Sequence, residues 1–188
     1  MNMTIEQFYK KQGPFTRMRR DKHKLLDCKE HMLKYKNMND FFANSTKYPY
    51  VLWAVLRKNV LTEKESITFA CWCIRQEWVW DLLEDERSKN VVVMAEKYVE
   101  GAITKKELTP VITTAKIRVD EVYDIFKSSL LIAPYKLYAI TATACIIKQL
   151  HYMADATALA TNSSSEADAF HKVQVEYLRE HFTPNFEA

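Results

Sequence analysis

Glycine occurs only twice in 188 residues, at Gly13 and Gly101, and this scarcity constrains the fold more than any other feature. A sheet-rich chain turns often, and its tight turns draw on glycine for positive φ. Helices joined by short polar links need far fewer, so an all-α chain is expected. Apolar residues make up 48% of the chain and charged residues 27%, enough for one substantial core beneath a charged skin. The expectation is one orthogonal or bundle-like domain of about seven helices. Residues 41–188 would form its main body, with residues 1–40 a basic helical segment packed against it.

The spacing of apolar residues places the helices. A short one over Thr4 to Lys11 ends at Gly13-Pro14, and a second runs from Phe15 to Lys36. In the second, Met18, Leu25 and Met32 recur every seven residues with Phe15, Leu26 and Leu33 beside them, a stripe about 100° wide. Asn39-Asp40 precede a short aromatic turn, and Pro49 is placed to open a helix through Val51, Leu52, Trp53, Val55 and Leu56. Thr62 and Glu65 have the spacing of a capping box. The helix they start is read to about Leu83, with Ile67, Cys71, Ile74, Trp78 and Leu82 on one face and Phe69, Cys73 and Trp80 on another. A helix apolar on two sides belongs near the centre of a fold. The next, Glu86 to Glu100, stops at Gly101, a natural residue to follow a helix. Thr104 and Glu107 offer a second capping box. Thr109-Pro110 reads as the opening of a helix to about Ile132 with Val111, Ala115, Val119, Val122 and Phe126 inward. Pro134 opens another, from Tyr135 to about Ala160. After a polar loop at Thr161 to Ser165 a last helix runs to about Phe182, and the residues beyond Pro184 are expected to fray.

Charge and cysteine bound the setting. The net charge is only +3, but residues 1–40 hold 10 Lys and Arg against 5 Asp and Glu, and the remainder 17 against 19. Attraction to an anionic surface would therefore begin at the N-terminal end. Cys71 and Cys73 are two apart on one helix, about 200° around its axis, so they can neither pair nor chelate one ion. No C-x-x-C unit, secretory pattern or long apolar run is present, and the longest candidate, Leu137 to Ile147, is bounded by Lys136 and Lys148. Reduced thiols in a cytoplasm and no membrane attachment are the expectation.

The run from Tyr50 to Leu108 carries a Cys- and small-residue-containing helix, an acidic Asp85-Glu86-Arg87 segment and a helix of the form Ala95-Glu96-Lys97-Tyr98-Val99-Glu100-Gly101. Over residues 48–160 this pattern resembles a helical bacterial and phage family of unknown function that includes proteins described as immunity proteins. The resemblance implies an all-helical module with a binding or neutralising role towards another protein, in a bacterial cell or encoded by a phage. It carries over no catalytic residue. The alanine-dense C-terminal repeats of that family are thinned here by Ile, Leu, Thr and Met, and the basic N-terminal helix lies outside the match.

Three constellations carry candidate chemistry. The first is an acidic strip of Glu77, Asp81, Glu84 and Asp85 beside Trp78, Trp80 and Arg87, whose aromatic anchors and charged rim suit a protein interface. Carboxylates at i, i+4 and i+7 would also share a face able to bind a divalent ion, but the E-x-x-H pair used in helical metal sites is missing. The second is the basic set Arg17, Arg19, Arg20, Lys22 and Lys24, able to contact successive phosphates of a nucleic acid. The third is His151 with Asp155, one helical turn apart, which could pair as a base and its orienting carboxylate. Each also has a purely structural reading as a solvated face, a salt-bridged stripe or a local hydrogen bond. Glycine loops for phosphate and nucleophile-elbow signatures are absent, so no catalytic residue, metal or cofactor is expected. The function expected is that of a non-enzymatic inhibitor covering a partner protein's functional surface. An accessory nucleic-acid binder and a metal-assisted hydrolase are the alternatives.

Overall fold

A computed structural model describes residues 3–12, 28–129, 139–143, 146, 150–160 and 164–187. Among these residues every regular element is helical and no strand occurs, as expected from the scarcity of glycine. Nine helices can be delimited: α1 Ile5–Gln12, α2 Met38–Asn44, α3 Tyr48–Val55, α4 Glu63–Ile74, α5 Glu77–Trp80, α6 Glu86–Glu100, α7 Lys105–Ser129, α8 Leu150–Leu159 and α9 Ser164–His181. Residues 28–32 and 139–143 are helical as well. The count exceeds the expected seven because stretches read as continuous are broken. The Glu63 to Leu83 helix divides at Gln76, whose extended backbone (φ −58°, ψ 134°) restarts the chain as α5. The Gln76 side chain meanwhile donates to the Trp72 carbonyl at 3.0 Å, satisfying an orphan acceptor at the end of α4. A turn at Ile146 likewise interrupts the stretch read as one helix from Tyr135 to Ala160.

The chain divides into two compact units, one of residues 1–62 and 175–188 and the other of residues 63–174. In the first, α1 is started by a capping box that the sequence reading passed over. The Thr4 amide donates to Gln7 Oε1 at 2.9 Å and the Gln7 amide to Thr4 Oγ1 at 3.2 Å. The segment at 28–32 ends before Lys36, which leaves Leu33 46% exposed instead of lying beside a buried stripe. Asn37 then caps α2 by accepting the Asp40 amide at 2.9 Å, and Asp40 accepts the Lys36 amide at 2.8 Å. The aromatic turn expected after Asn39-Asp40 is therefore a helix that contains them. Pro49 lies in the first turn of α3, where its missing N–H has no intrahelical role. Every residue from Val51 to Val55 is buried, as suits a helix that is apolar all round.

The segment read as fraying is docked. Phe186 is 3% exposed and meets Phe8 and Phe42 edge-on at 5.8 and 6.2 Å between ring centroids. The Asn185 amide donates to the Val60 carbonyl at 2.8 Å, and Lys11 Nζ donates to the Glu187 carbonyl at 3.0 Å. Nearby, the Arg179 guanidinium donates to the Phe42 and Ser45 carbonyls at 2.7 and 2.8 Å, a cation placed at the negative end of the α2 dipole.

In the second unit α4 is central, with Ile67, Phe69, Ala70, Cys71, Cys73 and Ile74 buried around its circumference. It packs against α6 and α8, and α6 packs against α7. Gly101 ends α6 at φ +82°, with its amide on the Tyr98 carbonyl and the Ala102 amide on Lys97, a Schellman arrangement. The Thr104 and Glu107 box then starts α7. The Thr104 amide donates to Glu107 Oε2 at 2.7 Å and the Glu107 amide to Thr104 Oγ1 at 3.4 Å. Thr109-Pro110 does not open a helix, as the sequence suggested, but lies inside α7, where one backbone hydrogen bond is forgone. Leu108, Ala115 and Val122, seven residues apart, form the fully buried seam of α7. No helix among the described residues is long and apolar enough to cross a membrane.

Candidate functional site

The seven residues singled out for a protein interface belong to the second unit, and its geometry divides them. The break at Gln76 removes the basis for a single carboxylate stripe. Glu77 and Asp81 remain one turn apart across α5, but Glu84 follows a non-helical stretch, so the three do not share one helix face. The i, i+4, i+7 arrangement that could have cradled a divalent ion is therefore corrected. No group of three or more His, Cys, Asp or Glu converges on a metal position among the described residues.

Three of the seven residues are engaged in holding the fold. Asp85 caps α6, accepting the Arg87 amide at 2.8 Å, and its carboxylate also meets Arg87 Nη2 at 2.9 Å and Arg118 Nε at 3.1 Å. Arg87 reaches on to Glu121 of α7 at 2.8 Å, and Arg118 approaches the same carboxylate at 3.4 Å. Two cations and two anions thus alternate across the α6 and α7 pair. The hydrogen bonds from Arg87 hold both Asp85 and Glu121 below the usual carboxylate range. Trp80 is engaged too, with the Arg75 guanidinium 4.0 Å above its ring and Lys89 Nζ at 5.5 Å. Arg75 is itself fixed by a two-pronged pair with Glu96, at 2.9 and 2.6 Å.

The other four residues face outward. Trp78 is 42% exposed, an unusual state for so large an aromatic, and Glu77, Asp81 and Glu84 are exposed as well. Among the described residues neither Glu77 nor Asp81 takes part in an ion pair. The inner edge of Trp78 rests on Phe170 of α9, edge-on at 5.0 Å, and Phe170 stacks on Trp72, which stacks on Phe69. Trp78 is thus the outer end of a line of four rings rooted in the core, with its side-chain position restricted before any partner arrives. Val173, one turn beyond Phe170, is 42% exposed as well. Sequence reasoning missed Phe170 as the support of Trp78. The signal for Phe170 was present in the recurrence of Ala167, Phe170, Gln174 and Leu178 along one side of α9.

Cys28, Cys71 and Cys73 are free but buried thiols, and burial pushes Cys28 up to about 11 and Cys71 up to about 12. Cys71 points its sulfur toward the Val92 carbonyl of α6, while Cys73 accepts from Gln174 of α9, the opposite-face arrangement that their spacing predicted. Gln174 is wholly buried, and its Nε2 also donates to Thr157 Oγ1 and the Ala154 carbonyl at 3.0 and 3.1 Å. Its Oε1 meets no donor among the described residues. The basic set Arg17, Arg19, Arg20, Lys22 and Lys24 lies outside the described residues, as does Cys145. The side chains of His151 and Asp155, one turn apart on α8, are also outside the description. No family model, curated protein or solved structure matches the chain.

Proposed function

We propose that this chain is a non-enzymatic protein-binding factor, an inhibitor of the immunity or anti-defence kind, that covers a basic functional surface of its partner with the Trp78 face. The observation that carries the reading is the outward Trp78, held on Phe170 at 5.0 Å, with exposed Glu77 and Asp81 beside it on the same short helical segment. A preordered aromatic anchor lowers the entropy lost on binding, and hot spots in interfaces are enriched in tryptophan. The carboxylate rim supplies steering and selects a partner rich in Lys and Arg.

The test compares wild type with Trp78→Ala and with Glu77→Lys/Asp81→Lys as baits in extract of the encoding cells. Retained helical circular dichroism confirms that each bait is folded. A stoichiometric protein is expected with wild type, weakened at least tenfold by Trp78→Ala and lost with the charge reversal. Equal capture by all three baits, or no protein captured by wild type, overturns the proposal.

A further inference from the structure

His31 of the first unit is built into a setting that accepts its neutral ring and opposes its charge. It belongs to the helical residues 28–32, and its imidazole lies among Tyr35 at 5.5 Å, Phe41 of α2 at 6.4 Å and Tyr50 of α3 at 5.8 Å. Its Nε2 is 3.0 Å from Ser45 Oγ and 3.4 Å from the Tyr35 hydroxyl. Ser45 is wholly buried, and its hydroxyl oxygen already accepts the Lys47 amide at 3.3 Å. The Ser45 proton can point at Nε2, and the Tyr35 proton can point there too, so two donors can converge on one lone pair. We assign the ring proton of the neutral imidazole to Nδ1, the tautomer in which Nε2 accepts from both hydroxyls.

The surrounding charges agree. Lys34 follows His31 in its own segment, Lys47 lies between α2 and α3, and Arg179 of α9 donates to the Ser45 carbonyl at 2.8 Å. The one carboxylate of α2, Asp40, is turned to the Lys36 amide and to Asn44. The Tyr35 and Tyr50 rings pack against the imidazole. Burial, followed by Lys34 and Lys47, holds the imidazole below its ordinary range.

We propose that His31 is an acid-sensitive latch of the first unit. When Nε2 takes up a proton, the Ser45 hydroxyl loses its acceptor, and the Ser45 to Lys47 connection between α2 and α3 loosens. The direction follows from linkage. The unfolded chain binds this proton at about pH 6.5, while the folded unit takes it up only at lower pH. Stability contributed by the latch is thus complete above that pH and declines as pH falls through the interval below it. Each pH unit inside the interval shifts the closed-to-open ratio by up to about tenfold.

The test is a proton NMR titration of the full chain, with the His31 resonance identified by its loss in His31→Gln. His31 is expected to titrate below pH 6.5, with the Tyr35 and Tyr50 ring signals moving at the same midpoint. Exchange of the Lys47 amide, corrected for its intrinsic pH dependence, should rise by up to about tenfold per unit between pH 6.5 and that midpoint and level off below it. Ser45→Ala removes a donor and should move the His31 midpoint upward. A His31 midpoint at or above 6.5 overturns the proposal. So does a midpoint that Ser45→Ala leaves in place, a result that remains readable if His31→Gln fails to fold.

Discussion

Replacing Phe186 by Ala tests whether residues 182–187 are a structural part of the first unit. The ring is 3% exposed and touches Phe8 and Phe42 edge-on. Removing a buried phenylalanine costs about 3–5 kcal/mol through lost transfer energy and the cavity left behind. The two ring contacts account for about 0.5–1.5 kcal/mol each of that. Residues 182–187 are not helical and can withdraw instead of preserving the cavity, so the low end, about 3 kcal/mol, is the expected loss. Native-state hydrogen exchange measures this loss unit by unit. The hydrogen-bonded amides of Phe8 and Val51 should exchange about 150-fold faster in Phe186→Ala, the equivalent of about 3 kcal/mol. Removal of residues 184–188 should do at least as much, since it also removes the Asn185 bond to Val60 and the Lys11 bond to Glu187. A loss below about 1 kcal/mol in both variants would show that docking of these residues contributes little and that the argument from burial is wrong.

Changes at three further positions probe the second unit. Gln174→Met removes a buried Oε1 that finds no donor and should leave stability within about 1 kcal/mol of wild type, whereas Gln174→Ala should cost about 2–5 kcal/mol in thermal denaturation. If both variants cost the same, the Gln174 hydrogen bonds matter more than its volume. Gly101→Ala meets nothing within 4 Å of the added Cβ, so its cost of about 1–2 kcal/mol comes from the backbone at φ +82° alone, and an unchanged urea midpoint would contradict this. Asp85→Asn keeps an acceptor for the Arg87 amide but removes the charge that Arg87 and Arg118 face. The Asp85 carboxyl is depressed in the folded state, chiefly by Arg87, so its contribution is present above the unfolded value of about 3.9 and is lost as pH falls through the folded one. The Tm difference between wild type and Asp85→Asn should accordingly be steady near neutrality and shrink in acid. A difference independent of pH would place the effect in the cap instead.

Helical content, the Thr104 and Glu107 box and the stop at Gly101 were legible in the sequence, because each depends on residues within one or two turns. The break at Gln76 was not. Nothing in the run from Glu63 to Leu83 forbids a continuous helix, and the interruption is supported by contacts remote in sequence, such as Arg75 with Glu96 and Trp78 with Phe170. For the same reason the candidate interface was only half readable. Its residue types stood out, but a one-dimensional pattern could not show that Trp80 is covered by Arg75 and Lys89 while Trp78 is left outward. The docking of Phe186 was hidden more deeply, since proline and the polar residues about it are the ordinary signature of a loose end.

The first unit joins residues from both sides of residues 63–174, and this imposes an order on its formation. A nascent chain that has synthesised only α1 to α3 holds the Phe8 and Phe42 rings with no Phe186 to cover them. Closing that ring cluster from a disordered chain means drawing together the ends of a loop well over a hundred residues long, an entropic cost that grows with the logarithm of the loop. If residues 63–174 have already condensed, most of that loop has ceased to be free. Assembly of the second unit ahead of the first is therefore the less costly sequence of events on the ribosome, and until it finishes the emerging chain carries an exposed aromatic surface that chaperones would shield.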